Sequence, residues 1–198
     1  MEISKVKTLV LSLLLMSSAL AWSDTHSLRV AGSENMSQLD WQVINDTVMG
    51  GRSTSQFKFE DGALSFSGYL NTDGGGFASI RSSRQRWPIE GRTLIRARVR
   101  GDGRQYQIRL HVGNSNVAYK ATFTTTANTW QVVEADIAAF IATRRGRVLN
   151  LPAPRPRDIT GIGFLLADRT DGSFRLDVAW IDFASAGNDQ RNKAKPLQ

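Results

Sequence analysis

The sequence contains 198 residues, with 25 Lys and Arg against 18 Asp and Glu, and therefore carries a formal charge of +7. It contains no cysteine, which excludes disulfides, thiol catalysis, iron–sulfur clusters and cysteine-ligated zinc sites. With only the two histidines His26 and His111, and no G-x-S-x-G motif, it also lacks a His-rich catalytic zinc site and a hydrolase nucleophile elbow. A folded part of about 150 residues is long enough to bury a core without disulfides.

The first 21 residues have the three regions of a secretory signal peptide. Lys5 and Lys7 precede an apolar run over residues 8–16, and Ala19-x-Ala21 forms a small-residue cleavage site. The apolar run is too short for a membrane-spanning helix, which needs roughly 20 residues. We therefore predict cleavage after Ala21 and a periplasmic or secreted protein without a membrane span.

Short alternating runs of apolar and polar residues, separated by Gly, Asp and Asn turns, fill residues 39–184. We interpret this region as one folded domain, preceded by a tail over residues 22–38 and followed by a disordered polar tail over residues 185–198. Alternation with period 2 is typical of antiparallel sheets with one buried face. About eight to ten short strands of this kind predict an all-β sandwich or jelly roll.

Three of the later strands are predicted at Trp130–Glu134, Ile159–Leu166 and Phe174–Phe183. In the last of them, Phe174, Leu176, Val178 and Trp180 would share one face. The only helix predicted is a short one around residues 136–143, before the stop at Arg144-Arg145-Gly146.

Basic residues occupy the polar positions of several strands, and the alternation predicts that they share the outer face of neighbouring strands. These residues are Arg96, Arg98, Arg100, Arg109, His111 and Lys120. Like charges side by side destabilise a sheet, so the pattern indicates either an anionic ligand or nearby acidic residues. The alternative is that the side chains extend into water without a partner.

Three glycine-rich segments carry the most specific pattern in the chain. Residues 41–53 read WQVINDTVMGGRS, residues 71–81 read NTDGGGFASIR and residues 99–106 read VRGDGRQY. In this order they resemble the family of complex I intermediate-associated protein 30, the CIA30 domain. The resemblance implies a galactose-binding-like β-sandwich that binds rather than catalyses. Mitochondrial members of that family assist assembly of respiratory complex I, whereas the export signal of this chain points to another compartment.

The glycine-rich segments supply the candidate ligand-binding residues, which are Asn45, Asp46, Met49, Gly50, Arg52, Asp73, Arg81, Asp102, Arg104 and Tyr106. Backbone N–H groups in such turns can form anion-binding nests, and arginines can hold an anion. We predict no cofactor, with the alternative that Asp46, Asp73 and Asp102 collect around Ca²⁺. The simplest interpretation is that these glycines and aspartates only build tight corners.

We therefore predict an exported, non-catalytic binding or assembly module for a protein partner or a glycan, with an anionic ligand compatible with the charge and no nucleic acid expected. One alternative is a carbohydrate-binding module in which Trp87, before Pro88, stacks on a sugar. Another is a carbohydrate-active enzyme that uses a carboxylate pair. Its candidate carboxylates are Asp46, Asp73, Asp102, Glu134, Asp168 and Asp171.

Overall fold

The computed structural model describes residues 27–186, which form thirteen strands joined by short turns. The strands are β1 (Ser27–Ala31), β2 (Gln42–Asn45), β3 (Thr54–Glu60), β4 (Ala63–Leu70), β5 (Ala78–Arg81), β6 (Leu94–Arg100), β7 (Gln105–Val112), β8 (Ala118–Thr124), β9 (Trp130–Asp136), β10 (Ile141–Arg144), β11 (Arg147–Val148), β12 (Ile159–Leu166) and β13 (Gly172–Ala184). Single 3₁₀ turns occupy Met36–Leu39, Asp46–Met49, Ile137–Ala139 and Pro156–Asp158. None of these turns, the only helical segments in the described range, has the length needed to cross a membrane.

The strands form two antiparallel sheets, which confirms the predicted β-sandwich. The first sheet has the order β3-β4-β13-β6-β9, and the second has the order β11-β10-β8-β7-β12-β5-β2. The long strand β13 pairs with β6 along one edge and with β4 and then β1 along the other. The two sheets pack face to face, and the hydrophobic side chains of their inner faces form one shared core.

Alternation along the central strands builds that core, as the sequence predicts. Phe66 on β4 and Phe174 on β13 pack edge to face, with ring centroids 4.9 Å apart. From the second sheet, Ile108 on β7 and Phe164 on β12 are buried against them. Each fully buried side chain of this size contributes about 1.5–3 kcal/mol of burial free energy, so the core can stabilise the fold without disulfides.

A β-bulge changes the predicted face of Trp180. The register of β13 against β6 shifts between Val178 and Trp180, so that Ile181 and Phe183 enter the core instead. Trp180 lies on the outer face, where the guanidinium of Arg29 sits 4.2 Å from its ring centroid. The prediction that Trp180 shares a face with Val178 is therefore wrong, because one extra residue in a bulge reverses the alternation.

Three other predictions differ from the structure. Residues 137–139 form a single 3₁₀ turn and β10 follows at once, so the helix predicted over residues 136–143 is wrong. Residues 27–31, assigned to the N-terminal tail, form β1 and pair with β13. Strands β6 and β7 belong to different sheets, so their basic residues do not share one face. The predicted signal peptide and residues 187–198 lie outside the described residues.

Candidate binding site

The loops at one end of the sandwich hold all the sequence-predicted site residues except Asn45, which ends β2, and Arg81 and Tyr106. These loops are residues 46–53, 71–77, 101–104 and 167–171, and Tyr106 follows directly on β7. Side chains join the loops to one another. For example, the backbone N–H of Thr72 donates to Asp171 at 2.8 Å.

Asp46 is the centre of the first loop pair. It is fully buried, and its carboxylate accepts hydrogen bonds from Ser53 N and Oγ at 2.9 and 2.6 Å and from the N–H groups of Gly76 and Phe77 at 2.6 and 3.3 Å. Burial raises the pKa of Asp46, but these hydrogen bonds outweigh that effect and lower the pKa overall. The oxygens of Asp46 therefore hold two loops together inside the protein.

The other predicted residues of this pair lie nearer the surface. Asn45 accepts a hydrogen bond from Ser55 Oγ at 2.7 Å. Arg52 and Asp73 form an ion pair at 2.8 Å, and both side chains are 72% exposed. Met49 is exposed at the loop tip, and Gly50 follows with a left-handed backbone, φ +89°, that glycine adopts without strain.

Asp102, Arg104 and Tyr106 form the second group, which joins β7 to the loop before β13. The buried Tyr106 hydroxyl donates to Asp102, which also accepts the backbone N–H of Arg175 at 2.9 Å. Burial is the largest cause that raises the pKa of Tyr106, followed by the charge of Asp102. These contacts make the group a structural connection between loops.

Arg104 uses all of its side-chain N–H donors within the protein. Nε and Nη2 bind the two oxygens of Asp168 at 2.8 and 2.7 Å. The remaining donors bind the carbonyl oxygens of Thr170, Gly172 and Ser173. Since a guanidinium has five N–H donors, none is left over for a ligand in this geometry. The hydrogen bond to Asp168 raises the pKa of Arg104.

The carboxylates considered for catalysis or for Ca²⁺ lie, with the exception of Glu134, in the loops at this end of the sandwich, where protein groups engage them separately. Asp46 is buried beneath its loops, Asp168 binds Arg104, and Glu134 lies on β9 at an edge of the first sheet. Over residues 27–186, no group of three or more His, Asp and Glu side chains is placed to hold a metal ion.

The outer face of the second sheet carries a row of cations that crosses the strands. Strand pairing places Arg81 on β5 opposite Gly163 on β12, Gly163 opposite Arg109 on β7, and Arg109 opposite Lys120 on β8. His111 lies on the same side of β7, one alternation further along. We call Arg81, Arg84, Arg109, His111 and Lys120 the basic face. The sequence pattern indicates Arg81, Arg109, His111 and Lys120 but wrongly groups Arg109, His111 and Lys120 with the arginines of β6.

Arg96 and Arg100 on β6 differ from the arginines of the basic face because they have acidic partners. On the first sheet, Arg96 pairs with Asp182 at 2.9 Å and Arg100 with Asp177 at 2.8 Å. Within residues 27–186, no carboxylate lies within 4.0 Å of the basic groups of Arg81, Arg109 or Lys120. Arg109 instead donates to Gln107 at 3.0 Å and to Thr143 at 2.8 Å, both neutral groups.

Burial disfavours the charged forms of Arg81, Arg109 and His111. Burial lowers the pKa of Arg109 to about 10. Burial also lowers the pKa of His111 to about 3, with further contributions from the charges of Arg81, Arg109 and Arg84. The pKa of Arg81 is lowered by burial and by Arg84. At neutral pH the face therefore combines partly desolvated arginines with a neutral imidazole.

A surface depression of about 400 Å³ lies next to the basic face, past the chain end of β5 and beside the end of β7 and the start of β12. It is lined by Arg84, Gln85, Arg86, Gly113, Asn114 and Thr160. Arg84 is oriented by Asn114, whose side-chain oxygen accepts its Nη1 at 2.9 Å. Cationic, amide and hydroxyl groups thus surround this depression.

Aromatic side chains lie elsewhere in the described part of the chain. Trp87, the predicted sugar platform, is partly buried and packs beside Phe183 at a centroid distance of 6.4 Å. Trp130, on the first sheet, has the guanidinium groups of Arg98 and Arg100 5.1 and 4.9 Å from its ring centroid. No Phe, Tyr or Trp of residues 27–186 points outward from the second sheet, because its strand aromatics face the core.

The fold resembles carbohydrate-binding proteins of known structure. A family 11 carbohydrate-binding module from Clostridium thermocellum, in complex with a β-1,3-1,4-mixed-linked tetrasaccharide, has a TM-score of 0.58 at 16% identity and covers 81% of this chain and 96% of its own. An agarase has a TM-score of 0.56 at 9% identity over 87% of this chain and 29% of its own. These similarities establish the fold, which is the predicted galactose-binding-like β-sandwich.

Sequence comparison gives the family. Two curated proteins called complex I intermediate-associated protein 30, mitochondrial, are similar to the chain. The one from Drosophila melanogaster is 27% identical and the one from Mus musculus 28% identical, each over 71% of this chain. The matches span 57% and 51% of the relatives, so the chain spans about half the length of the curated relatives it matches. Because the family described as complex I intermediate-associated protein 30 (CIA30) also matches residues 30–178, the chain belongs to the CIA30 family.

Proposed function

We propose that this protein is an exported, non-catalytic binding module of the assembly-factor type, and that it captures its partner on the basic face. Two of its relatives are named for association with an intermediate of complex I, which supports a binding role rather than catalysis. The signal-peptide pattern, with its Ala19-x-Ala21 site, supports an extracytoplasmic location. In that compartment the partner is a protein or a glycan.

The observation that carries this proposal is the absence of acidic partners around Arg81, Arg109 and Lys120 within residues 27–186. Partly buried cations without a counter-charge raise the free energy of the folded state. The same chain compensates Arg96 and Arg100 with aspartates on a neighbouring strand, so the sequence has a ready way to neutralise arginines on a sheet. An anionic partner would offset the cost on the basic face.

The side chains of the loop end hold its loops to one another. Asp46, Arg104 and Tyr106 are engaged by protein groups, and the exposed Arg52 and Asp73 neutralise each other. The ligand-binding role predicted for these residues stays a prediction. We assign them to the stability of the sandwich and keep Arg81 as the predicted residue that contacts the partner.

Capture from an envelope extract tests the proposal. Residues 22–198 would be immobilised as the wild type, as the face variant Arg81→Gln/Arg109→Gln/Lys120→Gln, and as the control variant Arg52→Gln/Lys58→Gln/Arg98→Gln. The control removes the same three charges from exposed positions away from the face. We expect a protein or glycan component that the wild type and the control retain and the face variant releases. Equal retention by all three would contradict the proposal.

A further inference from the structure

We propose that Arg81, Arg84 and Arg109, arranged around His111, form a subsite for the carboxylate or sulfate group of an acidic polysaccharide. This inference rests on the proposed binding function of the basic face and names the class of ligand. It is carried by the alignment of the side chains across the sheet, by their lack of counter-charges, and by the polar groups around them.

Two glycines shape the subsite. Gly163 lies in register between Arg81 and Arg109, so these arginines are separated by two strand spacings, about 10 Å, with no side chain between them. Gly161 lies opposite His111, and a Cβ atom at Gly161 would be 3.3 Å from the Cβ of His111. At Gly161 and Gly163 the outer side of β12 therefore presents backbone, and long side chains from both neighbouring strands can converge over it.

The convergence is electrostatically costly without an anion. The charges of Arg81, Arg84 and Arg109 all act on His111, and the charge of Arg84 acts on Arg81, while Arg81 and Arg109 are themselves partly buried. A carboxylate or sulfate group between the arginines would accept charge-assisted hydrogen bonds from their planar guanidinium groups. His111 stays neutral, and an imidazole in that form can donate one hydrogen bond and accept another from a hydroxyl group.

The surroundings favour a sugar over an acidic peptide. Gln42 lies opposite Arg81 on β2, and Gln107 and Thr122 lie opposite each other on β7 and β8. Amide and hydroxyl groups at these positions suit the hydroxyl groups of a glycan. The large exposed apolar residues of the second sheet that lie on its outer side, Ile141 and Val148, lie on its edge strands β10 and β11, away from Arg81. A peptide ligand would need exposed central apolar or aromatic anchors, whereas Leu165, the apolar residue beyond Gly163 on the outer side of β12, is partly buried.

The same surroundings disfavour a neutral glycan. Neutral sugars are commonly held by stacking on exposed aromatic rings. No aromatic ring of residues 27–186 points outward from this sheet, and the faces of Trp130 and Trp180 are covered by arginines. Charge is therefore the recognition element that the face supplies. Long polyanions would extend towards Lys120 on one side and the depression beside Arg84 and Arg86 on the other.

The experiment is calorimetric titration of residues 22–198 with an oligogalacturonate. Three comparison ligands are its fully methyl-esterified form, a sulfated oligosaccharide, and an oligoglutamate of equal charge. We expect the acidic sugars to bind, the ester to fail and the oligoglutamate to bind at least about tenfold more weakly. Arg81→Gln and Arg109→Gln should each weaken binding about tenfold or more, because each removes a charged hydrogen-bond donor. Arg52→Gln should leave it unchanged.

A second measurement locates the anion beside His111. The imidazole is surrounded by Arg81 from β5, Arg84 from the following loop, Arg109 from its own strand, and the uncharged Gly161 and Ala118 from the neighbouring strands. An anion among these arginines should raise the pKa of His111, seen as a shift of its NMR titration to higher pH. Arg109→Lys, which keeps the charge but loses the planar fork, should bind more weakly than wild type while keeping the fold.

The outcomes separate this inference from the proposed function. Tighter binding of oligoglutamate than of oligogalacturonate would overturn the assignment to a polysaccharide. Failure of both acidic sugars, while the face-dependent component of the extract is still captured, would overturn the subsite and leave the binding function standing. Binding that Arg81→Gln and Arg109→Gln leave intact would place the anion elsewhere and equally overturn the inference. Loss of face-dependent capture altogether would overturn both proposals.

Discussion

Arg104 and Asp168 meet at the loop end in a two-point ion pair, with Nε and Nη2 of the arginine 2.8 and 2.7 Å from the two carboxylate oxygens. Both side chains are only 13% exposed. The pair connects the start of β7 to the turn before β13, which are 64 residues apart in the chain. Solvent does little to screen such a pair. Removing Arg104 would therefore leave the largely buried carboxylate of Asp168 without a counter-charge.

Arg104→Ala should therefore lower the free energy of unfolding by about 3 kcal/mol. Arg104→Lys keeps the charge but loses the planar fork, so it should recover only part of that stability. Urea unfolding monitored by tryptophan fluorescence measures both. If Arg104→Ala unfolded at the wild-type urea concentration, Arg104 would not be the structural clamp that its contacts indicate.

Asp46→Asn should destabilise the fold by about 2–3 kcal/mol. The amide NH₂ group cannot accept hydrogen bonds, so some of the buried donors at Ser53, Gly76 and Phe77 would lose their acceptor. Asp73→Asn is the matched control, since Asp73 makes an exposed ion pair, and it should change stability by less than about 0.5 kcal/mol. Equal effects of the two changes in chemical unfolding would be inconsistent with the role assigned to Asp46.

The carboxylate of Asp46 also makes the free energy of unfolding depend on pH. The folded-state pKa of Asp46 lies below its ordinary value, so its contribution is present above the unfolded-state pKa and is lost as pH falls through the folded-state value. The wild type should lose this stability below about pH 4. The difference in unfolding free energy between wild type and Asp46→Asn should accordingly shrink in that range, as unfolding curves at successive pH values can measure.

The sequence predicted the sandwich because period-2 alternation records which side of each strand is buried. It did not predict which strands share a sheet. The turn at Gly101-Asp102-Gly103 looks like a hairpin, yet it carries the chain from the first sheet to the second. Pairing between distant strands, such as β5 with β12, depends on complementary packing that local patterns do not encode. The sequence pattern therefore wrongly groups the basic residues of β7 and β8 with those of β6, although it identifies most members of the basic face.

The glycine-rich segments show a related limit. They supply the candidate ligand-binding residues, and the structure gives several of their glycines a packing reason, in line with the simplest interpretation that they build tight corners. Cβ atoms at Gly51 and Gly75 would lie 2.3 and 2.5 Å from the nearest side-chain atom of Asp46. These glycines let the two loops close over the buried carboxylate. Conversely, Gly161 and Gly163 lie in a strand that the sequence predicts. Their alternation with Ile162 and Phe164 indicates two positions on the outer side of β12 that carry no side chain.

Gly75→Ala tests the packing reason directly. The added methyl group would overlap the Asp46 carboxylate, and we expect a loss of about 1–3 kcal/mol from overpacking. Gly32→Ala is the control, because a Cβ there would meet its nearest neighbour at an ordinary 3.7 Å. Thermal unfolding of both variants should show a lower Tm only for Gly75→Ala. Matching Tm values for the two would mean that the Asp46 loops yield without cost.

Because burial and the arginines of the basic face lower the pKa of His111, the free energy of unfolding should fall in acid. Its folded-state pKa is about 3, well below the ordinary value of 6.5, because burial and the nearby arginines disfavour the imidazolium form. The unfolded chain takes up this proton below about pH 6.5, whereas the folded protein does not. Stability is therefore complete above pH 6.5 and falls as pH drops towards 3, with a slope from this group of at most about 1.4 kcal/mol per pH unit.

His111→Gln should remove this contribution, so the wild type should lose more stability than the variant between pH 6.5 and 4.5, above the range in which Asp46 titrates. Arg81→Gln should act in the same direction by a different route, because loss of one nearby positive charge raises the pKa of His111 and weakens the acid dependence. The imidazole resonances of the wild type should show no titration between pH 8 and 4. A midpoint near 6.5 would show that His111 is hydrated and free of the arginines, and would remove the electrostatic reason for an anion between Arg81 and Arg109.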